Sequence, residues 1–218
     1  MRIVILGTAW PYRGGLAAFN ERLAKQFVDE GHEVEVVTFT LQYPSFLFPG
    51  KTQYSSEVTP NRLKIVREMN SCNPLSWIKV GRRLKDAAPD LLISCYWMAF
   101  FAPCYGVIQR IVKRNGKTKC IGLVHNMIPH EPNILDKLLA PYYVKQTDGF
   151  VALSESVVHD IASLDKEQKP KTFSPHPVYD HYGEKMDKKD ACVALGLDEE
   201  KGYVLFFGLV RAYKGLDL

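Results

Sequence analysis

A chain of 218 residues, 46% apolar and 24% charged, has the composition of an ordinary globular protein and room for one α/β domain plus part of another. Its formal charge of +4 is far below the charge density of a nucleic-acid binder, so nucleic acid is not an expected partner. The five cysteines, Cys72, Cys95, Cys104, Cys120 and Cys192, are odd in number and form no CxxC pair; they suit a reducing cytosol better than a disulfide framework or a zinc site.

The chain opens on RIVILG at 2–7, an apolar run of strand length. Polar and charged residues arrive by Arg13, so no secretory leader is expected and the predicted location is the cytoplasm. A helix follows, with Leu16, Phe19, Leu23 and Phe27 on one face, Glu21, Arg22, Lys25 and Asp29 elsewhere, and Gly31 placed to end it. Further strand-like runs recur at 33–40, 63–66, 90–96, 120–125 and 149–153. Between them helical patterns begin near Ser76, cover roughly 99–114, cover 134–146, and begin again at Ser154, a good N-cap residue. Pro141 is expected to kink or interrupt the helix at 134–146. The most apolar stretch, 97–112, is broken by Pro103, Gly106 and Gln109, short of the roughly 18 apolar residues of a membrane span. At most, contact with a membrane would be peripheral.

Strands alternating with helices predict an α/β fold: a Rossmann-like parallel sheet with helices on both faces. Ligands of such sheets bind beyond the carboxyl ends of the strands, near a switch in strand order. Two segments break the rhythm. Residues 41–61 form a long connection that includes Tyr43, Phe46, Leu47 and Phe48, a candidate for acceptor or membrane contact, with local packing over the sheet as the alternative. Around 164–190 the chain turns polar and lysine-rich, before a further predicted strand, YVLFFGLV, at 203–210. The expected division is therefore a first domain at 1–182, then a linker and the start of a second domain at 183–218. An apolar strand without its sheet is a pairing hazard, open to the first domain or to a second copy of the chain.

Three places could hold chemistry. Adjacent Gly14 and Gly15 before a helix admit a ligand close to the backbone, and helix N-terminal amides favour an anion; a bare strand-to-helix turn is the alternative. His125, in GLVHNMIPHEP, stands at the end of the fifth strand on the same sheet edge, able to donate to a hydroxyl or phosphate or to be satisfied by a carbonyl. With His130 and Glu131 it matches no helical zinc spacing, so no metal and no cofactor are expected. His176 and His181 fall in the linker region and read as structural. Last, FFGLVRAYKGLDL sets Arg211 and Lys214 just past a strand end, as phosphate-binding cations or a solvated basic turn. The basic cluster Lys113, Arg114, Lys117 and Lys119 reads as a solvated face, with weak attraction to anionic lipid at the inner membrane face as the alternative.

In this order, PYRGGLAAFNERLAKQFVDEGHEVEVVT, VHNMIPHE and FFGLVRAYKGLDL resemble the family 4 glycosyltransferases of the GT-B architecture. The resemblance implies a metal-independent, retaining hexosyltransferase of the kind used in polysaccharide biosynthesis, moving sugar from a nucleotide-diphosphate donor to a glycan or lipid-linked acceptor. It implies that Gly14 and Gly15 offer amides to the donor diphosphate. His125 would contact the sugar or the adjacent phosphate, and Arg211 and Lys214 would neutralise the leaving diphosphate. The family's arginine commonly follows the glycine directly, whereas here Leu209 follows Gly208, which leaves Lys214 better assigned than Arg211. The family's paired glutamates have no counterpart before Leu218, so the chain alone is expected to be inactive. Two other classes stay open: a non-catalytic acceptor-binding module, and a Rossmann oxidoreductase. The second lacks both G-x-G-x-x-G after the first strand and an acid ending the next.

Overall fold

The first strand, β1 (Arg2–Leu6), is apolar on both sides because both sides are covered: Val4 and Leu6 enter one core, Ile3 and Ile5 the other. This computed structural model describes residues 1–44, 52–55, 63–129, 134–178 and 183–206. Two compact units divide the chain, Met1–His176 and Pro177–Leu218.

The first unit is built on a seven-stranded parallel sheet of β1, β2 (Glu33–Leu41), β3 (Lys64–Asn70), β4 (Leu91–Tyr96), β5 (Lys119–Val124), β6 (Gly149–Ala152) and β7 (Lys171–Phe173). Its spatial order is β3-β2-β1-β4-β5-β6-β7. The chain moves outward from β1 to β3 and then returns to the far side of β1. The order therefore reverses between β1 and β4, which is where such sheets take ligands. The crossovers are α1 (Gly15–Asp29), α2 (Pro74–Ala87), α3 (Ala102–Val112), α4 (Ile134–Gln146) and α5 (Glu155–Leu164). Phe19 and Ala24 of α1 join Ile3, Ile5, Val34 and Val36 in one core cluster. Val80 and Leu84 of α2, Tyr105 and Ile108 of α3, and Tyr143 of α4 join Val4, Leu6 and Phe39 in the other. Helices thus cover both faces, as the alternation predicts.

Three boundaries depart from the sequence pattern. β3 runs on to Asn70, since Met69 is fully buried and pairs with Phe39 across a register shift. α4 stays helical through Pro141. Its neighbours Ala140, Tyr143 and Val144 are buried in the core, and Tyr142 lies so close to α3 that a Cβ on Gly106 would come within 2.4 Å of its ring. Packing overrides the lost amide. β7 was hidden in the lysine-rich stretch because its three residues, Lys-Thr-Phe, are half-buried or exposed. A buried carboxylate holds it: Asp165 accepts from the amides of Glu167 and Lys169 and from Lys171 Nζ at 2.6 Å.

The second unit contains α6 (Lys188–Leu195), capped by the Asp187 carboxylate accepting from the Asp190 amide at 2.9 Å. The strand expected at 203–210 does not form over its described part, 203–206, where Val204 and Leu205 are exposed; a strand needs a ladder partner, and the remainder lies outside the described residues.

Candidate functional site at the carboxyl edge of the sheet

The loop leaving β1 is fixed at nearly every residue. Gly7 must be glycine, because a Cβ there would fall 2.6 Å from Asn20 Nδ2 and 3.0 Å from Cys95 Cβ. Buried Asn20 donates to the Thr8 carbonyl at 2.8 Å, and the Ala9 amide donates to Thr38 Oγ1 at 3.0 Å. The Trp10 amide donates to the Glu21 carboxylate at 2.6 Å, tying the loop to α1. Residues 52–55, part of the long 41–61 connection, strap it from outside. The Arg13 amide donates to the Gln53 carbonyl at 3.0 Å, the Ser55 amide to the Pro11 carbonyl at 2.7 Å, and the Tyr12 and Tyr54 rings lie 5.3 Å apart.

This pinned loop delivers Gly14 at φ +114°, a conformation that side chains rarely adopt, into open space at the head of α1. Gly14 brings no side chain to cap the helix, and the first turn holds no acidic residue. A built-up positive end with room in front of it is what an anion requires. One turn further into α1, Phe19 packs edge-on against the His125 ring, with centroids 4.9 Å apart.

His125 follows β5, and its amide extends the ladder to the Tyr96 carbonyl at 2.9 Å. Its Nε2 is buried and has no hydrogen-bond partner among the described residues. Burial first, and then the charge of nearby His176, push its pKa down to about 4, so the ring is neutral at pH 7. His176 completes the cluster: its ring lies 4.9 Å from Phe19 and 5.8 Å from His125. The sequence placed His176 in a linker because β7 was not legible. With β7 in place, it stands three residues past a strand end, on the same edge as His125.

Gly14, Gly15 and His125 thus share one edge of the sheet, linked through Phe19. Arg211 and Lys214 lie outside the described residues, as do His130, Glu131 and His181. Of the aromatic connection, Phe46, Leu47 and Phe48 also lie outside. Tyr43 packs locally: its hydroxyl accepts from Trp97 Nε1 at 2.9 Å and its ring stacks on Phe100. A cleft of about 340 Å³ lined by Pro141, Val144, Leu164 and Lys169 involves the segment before β7, at the opposite sheet edge. Among the described residues, no helix is long and apolar enough to cross a membrane.

Residues 13–175 match the family model described as Glycosyltransferase Family 4. The chain belongs to that family. No curated protein matches it by sequence. Among solved structures, an alpha-glucosyltransferase in complex with UDP and a 13-mer DNA containing a HMU base is similar at 16% identity and a TM-score of 0.51, covering 78% of this chain and 42% of that one. A trehalose-6-phosphate structure from E. coli, bound with UDP-2-fluoro glucose, is similar at 10% identity and a TM-score of 0.49, covering 90% of this chain and 54% of that one. This family 4 chain therefore spans about half the length of those structures or less. Its sheet is the Rossmann-like kind found in GT-B glycosyltransferases.

Proposed function

We propose that this chain carries the acceptor-side domain of a retaining glycosyltransferase, taken as residues 1–182, with residues 183–218 leading into its donor-binding domain. The sugar passes from a nucleotide diphosphate to a glycan or lipid-linked acceptor without a metal ion. One observation carries the proposal: in a family 4 chain, an uncapped helix start at Gly14–Gly15 and a neutral histidine with an unpartnered buried nitrogen stand on the same sheet edge, joined by Phe19. The UDP in the alpha-glucosyltransferase structure supports a nucleotide-sugar donor.

The chemistry asks mainly for charge stabilisation. As the glycosidic bond to the diphosphate breaks, negative charge grows on the phosphate oxygens. The Gly14–Gly15 turn meets it with amides and the positive end of α1, at a place where no carboxylate of the first turn competes. His125, neutral at pH 7, donates a hydrogen bond to the transferred sugar or the adjacent phosphate without adding repulsion or charge of its own. Lys214 and Arg211 supply the cations. Each well-placed donor of this kind contributes on the order of 3 kcal/mol to lowering the barrier. The mild net charge of +4 gives no basis for a nucleic-acid acceptor.

The test is a mass-spectrometric screen of UDP-, GDP- and ADP-sugars with the chain joined to its donor-binding domain. Transfer or slow hydrolysis of one donor is the expected result. No product from any donor, with folded protein, would overturn the assignment. The 218-residue chain by itself is expected to show no turnover, and robust turnover would show that it needs no second domain.

A further inference from the structure

We infer that His176 is a second binding residue of this edge, acting with His125 on one phosphoryl group of an anionic ligand. The inference rests on the diphosphate site proposed above and extends it to a residue outside the motifs that carry the family resemblance.

Both imidazoles pack on the same ring. His125 and His176 each lie 4.9 Å from Phe19, both edge-on, and 5.8 Å from one another. His125 is the sheltered member, with its Nε2 buried and unpartnered among the described residues, whereas His176 is exposed. A buried polar nitrogen is normally satisfied, and one left open at a sheet edge is completed by what binds there. Hydrogen bonds to phosphate oxygens run about 2.8 Å from the nitrogen. With ring centroids 5.8 Å apart, one phosphoryl group seated between the two imidazoles has the reach to meet a nitrogen of each. Each imidazole offers two ring nitrogens, and a single phosphoryl group has oxygens enough for both rings.

The position of His176 is built, not incidental. The Ser174 amide donates to the Ala152 carbonyl at 2.9 Å, continuing the β6–β7 ladder beyond Phe173 and bringing the chain to the edge two residues before the imidazole. Asp165 and Lys171 hold the other end of the same short strand.

The experiment is a titration of the 15N-labelled 218-residue chain with inorganic pyrophosphate, following the imidazole nitrogens and the Gly14 and Gly15 amides by NMR. The expected result is that His125 and His176 shift together with one dissociation constant, and that His176→Ala weakens pyrophosphate at least fivefold while His176→Asn, which keeps a donor, recovers part of the loss. His176 is exposed, and dispersed amide spectra check that the variants fold. If Gly14, Gly15 and His125 respond but His176 does not, and His176→Ala binds as tightly as the parent, this inference falls and the diphosphate site stands. If no residue of the edge responds at millimolar pyrophosphate, both fall.

Discussion

At His125 the same burial that shelters the ring also sets its protonation. Its pKa falls from an ordinary 6.5 to about 4, through burial first and the neighbouring His176 second. Between these values the unfolded chain binds a proton that the folded chain refuses, so this residue makes stability rise with pH across that window. The melting temperature is expected to drop between pH 7 and pH 5, and His125→Asn should flatten the drop; an equally steep decline in the variant would place the titration elsewhere. The two glycines of the turn separate in the same way. Gly14 sits at φ +114°, so Gly14→Ala strains the backbone by roughly 1 kcal/mol. Gly15 has no positive φ, and a Cβ there would meet nothing within 4 Å. Gly15→Ala should therefore leave the melting temperature unchanged or raise it while weakening pyrophosphate binding severalfold. Unchanged binding would mean that the ligand does not approach the backbone at this point.

On the scale of elements, β7 decides how much of the edge is organised. It is three residues long, and a single carboxylate anchors it: the Asp165 side chain is 1% exposed and Lys171 Nζ lies 2.6 Å away. Burial alone would raise the Asp165 pKa, but the Lys171 ion pair and the amides of Glu167 and Lys169 outweigh it and hold it below the usual carboxylate value. Its stabilising effect is thus present above the unfolded carboxylate pKa and is lost as pH falls through the depressed one. Asp165→Asn leaves Lys171 without its counter-charge and should cost roughly 2–3 kcal/mol in urea unfolding. It should also loosen the segment that leads to His176, seen as lost hydrogen-exchange protection of the Ser174 amide. Full protection in the variant would show that pairing with β6 suffices by itself. The strap at 52–55 acts in the same manner on the other side, clamping residues 11–13 through two backbone bonds and the Tyr12–Tyr54 pair.

For the whole molecule, the strand order is the functional statement. Reversal between β1 and β4 opens the edge where the loops after β1, β4 and β5 emerge, and the proposed diphosphate site lies on that edge. A complete diphosphate site needs cations as well as amides. In the enzyme with both domains, Lys214→Ala is expected to lower kcat at least tenfold with little change in melting temperature, and an unchanged kcat would remove Lys214 from the mechanism. Three of the thiols take no part in the proposed chemistry: burial pushes those of Cys95, Cys104 and Cys120 well above their usual value, leaving them protonated packing groups.

The chain pattern by itself determined the alternating strands and helices, the glycine turn and the position of His125, because each is written in a local period or at a strand end. Apolar runs such as RIVIL and LLISCY, buried on both faces, can be read without knowing their neighbours. What the tertiary structure alone decided depends on partners far away in sequence. Lys171–Phe173 has no strand pattern of its own and becomes a strand because β6 offers it an edge and Asp165 holds it there. α4 passes through Pro141 because packing against the core outweighs one missing amide. His176 reads as a linker residue until β7 exists; then Phe19, 157 positions earlier in the chain, gives it and His125 a common wall. Local periodicity fixes elements, and only long-range contact fixes which side chains meet.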